Sequence, residues 1–330
     1  MSVRVTTTKT DDLRVVCADL ESKWRDTYGG LDWNIIYPGN DNDVHVNFLS
    51  KDVKFMVKIA VPRKRTAGQF NVDCEKELDI LQTVLKSAKV VNMEDFVYTP
   101  HKRLAILLPL FEMRLNQFHD NVLMKMSDER ERDIQRRDVI TQILTGLVNL
   151  HTMCIENVPC PIIHGDIQPE NILVNLYPLT AVIAGLNFAV KTSVDPITKL
   201  EIPIEGINIP ERGIDVGRAL NYMPPEAEMH LTTKADVWAM GCVLVELCWD
   251  NNVPLFPIYT FSERLHFLPK FETERIREVQ NRSEFQPHYP FARIRSKMNP
   301  KHYANWLQMM NVNAYERCTA KDTWNVWLDM

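Results

Sequence analysis

Helical spacing of apolar residues predicts an amphipathic helix ahead of the first strand. After Asp11, a suitable N-cap, apolar side chains recur every three or four positions, at Leu13, Val16, Cys17, Leu20 and Trp24. The pair Gly29-Gly30 ends this pattern. We therefore expect residues 1–30 to form a helical extension that precedes the main domain.

The next eighty residues alternate between strand and helix patterns. Runs of β-forming residues predict strands at 33–37, 44–48 and 53–60, and two more at 95–98 and 103–108. Between these groups one helix carries an apolar face made of Cys74, Leu78, Leu81 and Leu85. Residues 31–110 are therefore predicted to form a small β-rich part.

Beyond Phe111 the pattern becomes helical. One long buried helix is marked by Ile140, Ile143, Leu144, Leu147 and Leu150, and another by Val237, Met240, Leu244 and Leu247. Together the two halves predict an α+β protein, with a small β-rich part over 31–110 and a large α-helical part over 111–330.

Composition and charge narrow the function classes. A net charge of −5 gives no sign of the basic face that nucleic-acid binding requires. The seven cysteines include no Cys-x-x-Cys pair, which argues against a disulfide framework or a zinc site. The most hydrophobic helical stretch, residues 237–249, is too short to cross a bilayer and contains Glu246.

These features predict a reduced cytoplasmic protein with no nucleic-acid and no membrane partner. The N-terminus lacks the apolar run of a secretory signal. The basic run Pro62-Arg63-Lys64-Arg65 is most simply a solvated turn, although a localisation signal or docking patch would have the same composition. A nuclear location therefore stays open.

Residues 164–173 carry the main chemical motif. Their sequence, His-Gly-Asp-Ile-Gln-Pro-Glu-Asn-Ile-Leu, resembles the catalytic loop of eukaryotic protein kinases, H-R-D-x-x-x-x-N. In that family the aspartate accepts the proton of the substrate hydroxyl and the asparagine binds magnesium. The resemblance assigns these roles to Asp166 and Asn171.

Further segments in the family's order strengthen the resemblance. Lys58 and Glu77 match the phosphate-pairing lysine and its glutamate partner. Residues 222–226, Tyr-Met-Pro-Pro-Glu, resemble A-P-E, residues 236–241 resemble D-x-W-x-x-G, and residues 317–319 resemble R-x-T. The resemblance covers residues 31–330 and implies a bilobal protein-kinase-like fold of the Ser/Thr branch.

A second family shares the loop. Small-molecule phosphotransferases of the aminoglycoside and choline kinase type carry H-G-D, which matches His164-Gly165-Asp166 better than H-R-D does. Those enzymes lack the A-P-E and D-x-W-x-x-G segments, and this chain has both. A small-molecule phosphotransferase therefore remains a minor alternative.

The magnesium-binding D-F-G segment has lost its carboxylate. It aligns with Gly185-Leu186-Asn187, and a shift of one residue would begin it at Ala184 instead. Either alignment lacks the carboxylate, because no Asp or Glu occurs between Asn171 and Val194. Asn171 and Asn187 offer only neutral amide oxygens, whereas magnesium prefers carboxylates. We therefore expect a weak metal site that holds no Mg²⁺.

The nucleotide pocket implied by the resemblance is also degenerate. Only Gly39 remains of the glycine-rich loop, and Asp41 and Asp43 repel a polyanion. Met56 stands where the family usually has a small alanine over the adenine, and it either blocks the pocket or turns aside. The pocket residues by resemblance are Gly39, Val46, Met56, Lys58, Glu77, Leu108 and Leu173. We expect no required cofactor and at most weak ATP binding.

Transfer and control residues differ as well. Gln168 replaces the lysine that steadies the γ-phosphate, and Gly165 replaces the arginine that pairs with a phosphorylated activation segment. Ala219 stands where a threonine is expected before A-P-E. The simpler interpretations are a hydrogen-bonded loop residue for Asp166 and a positioning salt bridge for Lys58 and Glu77.

The resemblance implies that the retained residues are mainly structural: His164, Leu186, Glu226, Asp236 and Arg317. His164 and Leu186 are expected to stack with Leu81 in an apolar column anchored by Asp236, and Glu226 to pair with Arg317. We therefore interpret the chain as a pseudokinase that acts as a scaffold or allosteric regulator. Its expected partners are other signalling proteins, among them an active kinase. The alternative is a divergent active Ser/Thr kinase.

Overall fold

The computed structural model describes most of the chain and divides it into two compact units. The described residues are 17–25, 27, 32–38, 43–49, 54–60, 72–98, 104–198, 200–203, 220–226, 231–248, 254–256, 261–280 and 291–328, with the backbone alone in 32–38, 43–49, 60, 72–74, 203, 261–262 and 265. Unit 1 comprises Met1–Leu85 and Val91–Leu110, and unit 2 comprises Lys86–Val90 and Phe111–Met330.

Unit 1 is built on a five-stranded antiparallel sheet. Its strands lie in the order β1-β2-β3-β5-β4, and their bounds are Asp32–Pro38, Asp43–Leu49 and Lys54–Ala60 for β1 to β3, and Asp95–Tyr98 and Leu104–Pro109 for β4 and β5. Each strand lies within about two residues of its predicted position. The β-branched and aromatic residues of these strands favour an extended backbone, and pairing with the neighbouring strands determines where each strand begins and ends.

Among the described residues of unit 1, two helices accompany this sheet. The helix predicted near the N-terminus is present over residues 17–25 (α1), with Cys17, Leu20 and Trp24 buried. The Trp24 indole N–H donates to Asp95 Oδ2 at 2.7 Å, which joins α1 to β4. The other residues that predicted this helix, Asp11 to Val16 and Gly29-Gly30, lie outside the described residues.

The second helix, α2, is Val72–Thr83. Leu78 and Leu81 are buried as its predicted apolar face requires. The prediction for Leu85 is wrong, because the helix ends at Thr83 and Leu85 is 44% exposed. A turn at 84–86 takes this side chain off the helical repeat.

Unit 2 is mainly helical. Its helices are α3 Leu115–Asn121, α4 Glu129–His151, α5 Thr233–Cys248, α6 Phe261–Val279, α7 Phe291–Lys297, α8 Pro300–Met309 and α9 Ala320–Leu328. Asp128 caps α4 by accepting hydrogen bonds from the backbone N–H groups of Arg130 and Glu131. Helix α5 is apolar on nearly every side and is buried along its length, as expected for the central helix of a unit.

Short strands that the helical pattern did not reveal complete unit 2. They form the sheets β11-β10-β6 and β13-β12-β9 and the hairpin β7-β8. Their bounds are β6 Met113–Arg114, β7 Cys154–Ile155, β8 Val158–Pro159, β9 Ile162–Ile163, β10 Ile172–Leu176, β11 Leu179–Ile183, β12 Val190–Val194 and β13 Glu201–Pro203. Within the described residues, no helix is long and apolar enough to span a bilayer.

Candidate active site

The loop that carries Asp166 is held by the central helix of unit 2. It leaves the buried strand β9 and re-enters regular structure at a 3₁₀ turn, Pro169–Asn171, directly before β10. Asp236 on α5 accepts from the backbone N–H of His164 at 2.7 Å and from that of Gly165 at 2.9 Å. Asp236 also bonds the His151 imidazole at 2.9 Å. A buried carboxylate therefore fixes the start of the loop, in the anchoring position predicted from the sequence.

His164 continues this network. Its side chain is fully buried, with Nε2 at 2.8 Å from the Ala184 carbonyl oxygen. His164 Nδ1 accepts a hydrogen bond from the Asp166 backbone N–H at 3.2 Å. Nε2 therefore carries the ring hydrogen and donates it in a hydrogen bond to the Ala184 carbonyl oxygen. Leu186 is also buried, in the 3₁₀ turn Leu186–Phe188, whereas its predicted stacking partner Leu81 belongs to unit 1.

Both oxygens of the Asp166 carboxylate accept bonds from neutral amides. Gln168 Nε2 donates to Oδ1 at 2.9 Å, and Asn171 Nδ2 donates to Oδ2 at 2.6 Å. Asn171 Nδ2 also lies 2.8 Å from the Asp166 carbonyl oxygen. These contacts hold the carboxylate in place, but an amide brings no positive charge to a phosphate, unlike the lysine that Gln168 replaces.

Asn171 also lies against the position where the magnesium carboxylate is missing. Gly185 has a φ of +76°, and a Cβ built on it would lie only 2.6 Å from Asn171 Oδ1. A side chain at residue 185 would therefore meet both a left-handed backbone and the Asn171 amide. Gly185 itself supplies no carboxylate at the position that aligns with the magnesium-binding aspartate of kinases.

The remaining donors do not fit a magnesium ion. Asn187 is half-buried in the 3₁₀ turn after Gly185. Across the described ranges, no cluster of three or more His, Cys, Asp or Glu side chains is placed to hold a metal. The Asp166 carboxylate is bonded by the neutral amides of Gln168 and Asn171, and hard cations prefer sites with more than one charged oxygen ligand.

Unit 1 contains the ion pair expected between β3 and α2. Lys58 Nζ lies 2.6 Å from Glu77 Oε2, and the two side chains are 11% and 5% exposed. The pair thus has the composition and geometry of the family's phosphate-pairing lysine and its glutamate. The same geometry serves a purely positioning salt bridge.

The strand register shows which of the residues predicted to line the nucleotide pocket lie opposite one another in the sheet. Met56 lies opposite Leu108 on β5 and shares a face of β3 with Lys58. Val46 lies opposite Val57, which alternation places on the other face. The register also places Asn47 opposite Met56, and the prediction that Val46 and Met56 line one pocket stays a prediction. Leu173 is half-buried on β10 of unit 2, and Gly39 lies outside the described residues.

Glu226 and Arg317 form the buried pair that the sequence predicts. Arg317 Nη1 and Nη2 donate to the two carboxylate oxygens at 2.7 and 3.0 Å. The guanidinium also donates to the carbonyl oxygens of Asn311 and Lys234, at 2.9 and 2.7 Å, and lies 5.2 Å from the Trp238 ring centroid. Because these donors have acceptors, the charge is tolerated in the interior.

Sequence reasoning missed a second buried contact beside the A-P-E segment. The Tyr222 hydroxyl donates to Glu246 Oε2 at 3.0 Å. Burial, and then the negative charge of Glu246, raise the pKa of Tyr222 far above its usual range. The sequence shows Glu246 only as a lone acid in an apolar helix, and nothing in that pattern names its partner.

Comparison with known proteins identifies the family. The model of the protein kinase domain matches residues 44–327, so the chain belongs to the protein kinase family. A protein of Dictyostelium discoideum described as a probable serine/threonine-protein kinase is 26% identical over 231 residues. That alignment covers 62% of this chain and 30% of the relative, so the chain matches less than a third of the relative's length. The recognition from sequence and the predicted α+β kinase fold are thus confirmed.

Proposed function

We propose that this kinase domain is a pseudokinase that acts by binding other signalling proteins. The main support is Gly185, which stands at the position aligned with the magnesium-binding aspartate and supplies no carboxylate. Gln168 supports the same conclusion because its amide replaces a cation and bonds Asp166 instead. ATP binding, where it occurs, is then weak and independent of magnesium.

The size of these losses supports the proposal of negligible catalysis. Removing one preorganised electrostatic partner typically costs ~10²–10³ in rate. Losing both the metal carboxylate and the lysine therefore lowers the rate by a factor of ~10⁴–10⁶, where the two effects are taken as independent. From a kinase rate of ~1–100 s⁻¹, little turnover remains.

Phosphotransfer by the purified protein tests this proposal. With labelled ATP and either Mg²⁺ or Mn²⁺, the wild type should incorporate no more label than the Asp166→Asn variant. Autophosphorylation that disappears in Asp166→Asn would refute the pseudokinase. A nucleotide titration with and without Mg²⁺ separately measures binding, which a pseudokinase can retain.

The competing candidate is a divergent active serine/threonine kinase. It is supported by the 2.6 Å Lys58–Glu77 ion pair, by the retained Asp166, and by similarity to a probable serine/threonine-protein kinase. The family match over residues 44–327 disfavours a small-molecule phosphotransferase. Steady ATP turnover lost in Asp166→Asn would favour the active kinase.

Partner and location belong to the same proposal. A domain without turnover affects signalling through contacts, so we propose a signalling protein as partner, with an active kinase as the first to test. We also propose a cytoplasmic location. Co-purification of an active kinase with the wild type, and its changed activity on addition of pure domain, would support the partner; unchanged activity of the kinases tested would count against it.

A further inference from the structure

The segment that follows Gly185-Leu186-Asn187 folds back on itself as a hairpin of β12 and β13. Asp195 closes its turn, because its backbone N–H donates to the Leu200 carbonyl at 2.9 Å. The Asp195 carboxylate accepts the backbone N–H of Thr198 at 2.6 Å, and this bond lowers the pKa of Asp195. The hairpin thus has a defined turn of its own.

The two faces of the hairpin have different environments. Glu201 pairs with Val194, so alternation places it on the same face as Thr192. Thr192 is fully buried, and its hydroxyl donates to the Pro161 carbonyl at 2.9 Å. Ile202, on the opposite face, is 49% exposed. The face that carries Glu201 is therefore the inner one.

Glu201 reaches the first residue of the central helix. Its Oε2 accepts the Thr233 backbone N–H at 2.7 Å, and its Oε1 accepts the Thr233 hydroxyl at 2.6 Å. The first N–H groups of a helix have no acceptor within the helix, and this end of the helix dipole favours negative charge. A carboxylate from 32 residues upstream thus caps α5.

Lys234, the second residue of α5, is linked to the A-P-E glutamate, Glu226, through Arg317. Arg317 Nη1 donates to the Lys234 carbonyl oxygen at 2.7 Å, and the same nitrogen lies 2.7 Å from Glu226 Oε1. Glu201 and Glu226 are therefore both attached to the first two residues of α5, Glu201 directly and Glu226 through Arg317.

We propose that Glu201 is an internal clasp that keeps the Val190–Pro203 hairpin on α5 without phosphorylation. Gly165 offers no side chain to a phosphate, and Ala219 offers no hydroxyl to phosphorylate. A glutamate supplies negative charge and acceptor oxygens at all times, whereas phosphorylation supplies them only after a modifying reaction. The clasp does not depend on whether the domain transfers phosphate.

Hydrogen–deuterium exchange of the full chain tests the clasp. We expect Glu201→Ala to accelerate exchange about tenfold in peptides that span 190–203, because the hairpin opens locally. Glu201→Gln keeps an acceptor oxygen but loses the charge, so its exchange rate over 190–203 should lie between those of the wild type and Glu201→Ala. Glu129→Gln, which removes an exposed carboxylate from α4, should exchange as the wild type does. Phosphatase treatment of the wild type should change nothing in this region.

Three results would overturn the clasp. They are unchanged exchange over 190–203 in Glu201→Ala, equal acceleration throughout unit 2, and acceleration of this region in wild type by phosphatase. Where Glu201→Ala yields no folded protein, Glu201→Gln and Thr233→Val carry the test. Thr233→Val removes the hydroxyl donor alone and should also accelerate exchange locally; wild-type exchange in both would refute the proposal.

Discussion

Arg317 and Glu226 form a bidentate ion pair in the interior of unit 2, although 91 residues separate them in sequence. Arg317 is 1% exposed. The pair joins the A-P-E segment to the loop before α9, so it connects parts of the chain that no local interaction brings together. A buried charge is costly to leave without its partner. Because this pair also joins distant parts of the chain, its removal is a sensitive test of the fold.

Removing the arginine should destabilise the protein strongly. Arg317→Ala leaves the Glu226 carboxylate buried without its cation, which typically costs ~3–5 kcal/mol. For a unit of this size we expect Tm to fall by about 6–20 °C in thermal unfolding. Arg295→Ala, which removes an exposed arginine 3.6 Å from Glu278, is the matched control and should change Tm little. An Arg317→Ala protein that melts within about a degree of wild type would contradict the role of this pair.

Introducing a side chain at residue 185 should also destabilise. Gly185→Ala places a Cβ in a left-handed backbone and against Asn171 Oδ1, so we expect a loss of ~1–2 kcal/mol or more. Denaturant unfolding of Gly185→Ala, Asn171→Ala and the double variant measures the coupling between the two positions. The double variant should lose less stability than the sum of the single variants. Strict additivity would show that the Asn171 amide does not occupy this space.

Met56 is expected to limit nucleotide binding. A ligand at ~100 times its Kd stabilises a protein by ~2.7 kcal/mol, which a thermal shift assay detects. Millimolar ATP should leave the wild-type Tm unchanged, whereas Met56→Ala should gain a small shift that does not require Mg²⁺. Leu108→Ala, which shortens the residue opposite Met56 on β5, shows whether any enlargement of this face has the same effect. A clear ATP shift in the wild type would show that Met56 does not block the pocket.

Stability should fall in mild acid because of His302. Burial, followed by the positive charges of Arg137 and Lys301, lowers the pKa of His302 to about 4. The unfolded chain, with a histidine pKa of about 6.5, binds a proton that the folded protein excludes. The contribution of His302 to stability is therefore complete above pH 6.5 and is lost progressively as the pH falls toward 4.

A nontitrating aromatic residue isolates this effect. The His302 ring stacks on Trp327 with centroids 3.8 Å apart, and His302→Phe keeps an aromatic ring there. Between pH 7.5 and 5.0, Tm should drop less in His302→Phe than in wild type. Parallel Tm profiles for the two proteins would assign the acid sensitivity to other groups.

Local patterns in the sequence were sufficient for the strands of unit 1, for the helices α1, α2, α4 and α5, and for the family. The β-forming runs in 31–110 predicted the sheet strands, since a half-buried strand requires β-favouring residues over a short stretch. The Asp166–Asn171 spacing pointed to the kinase loop because that chemistry requires a fixed separation along the chain. Even the Glu226–Arg317 pair followed from family resemblance, which supplied the long-range contact.

Contacts that depend on packing were decided by the tertiary structure alone. The sequence does not specify which residue of β3 lies opposite Val46, and strand pairing places Val57 there. The register matters because a shift of one residue reverses the face of every side chain in a strand. The Asn171 amide bonds Asp166 and lies against Gly185, and no residue pattern in the sequence specifies this arrangement. Glu201 looks in the sequence like an ordinary surface acid, and only the packing of the hairpin on α5 brings its carboxylate to the N-terminus of that helix.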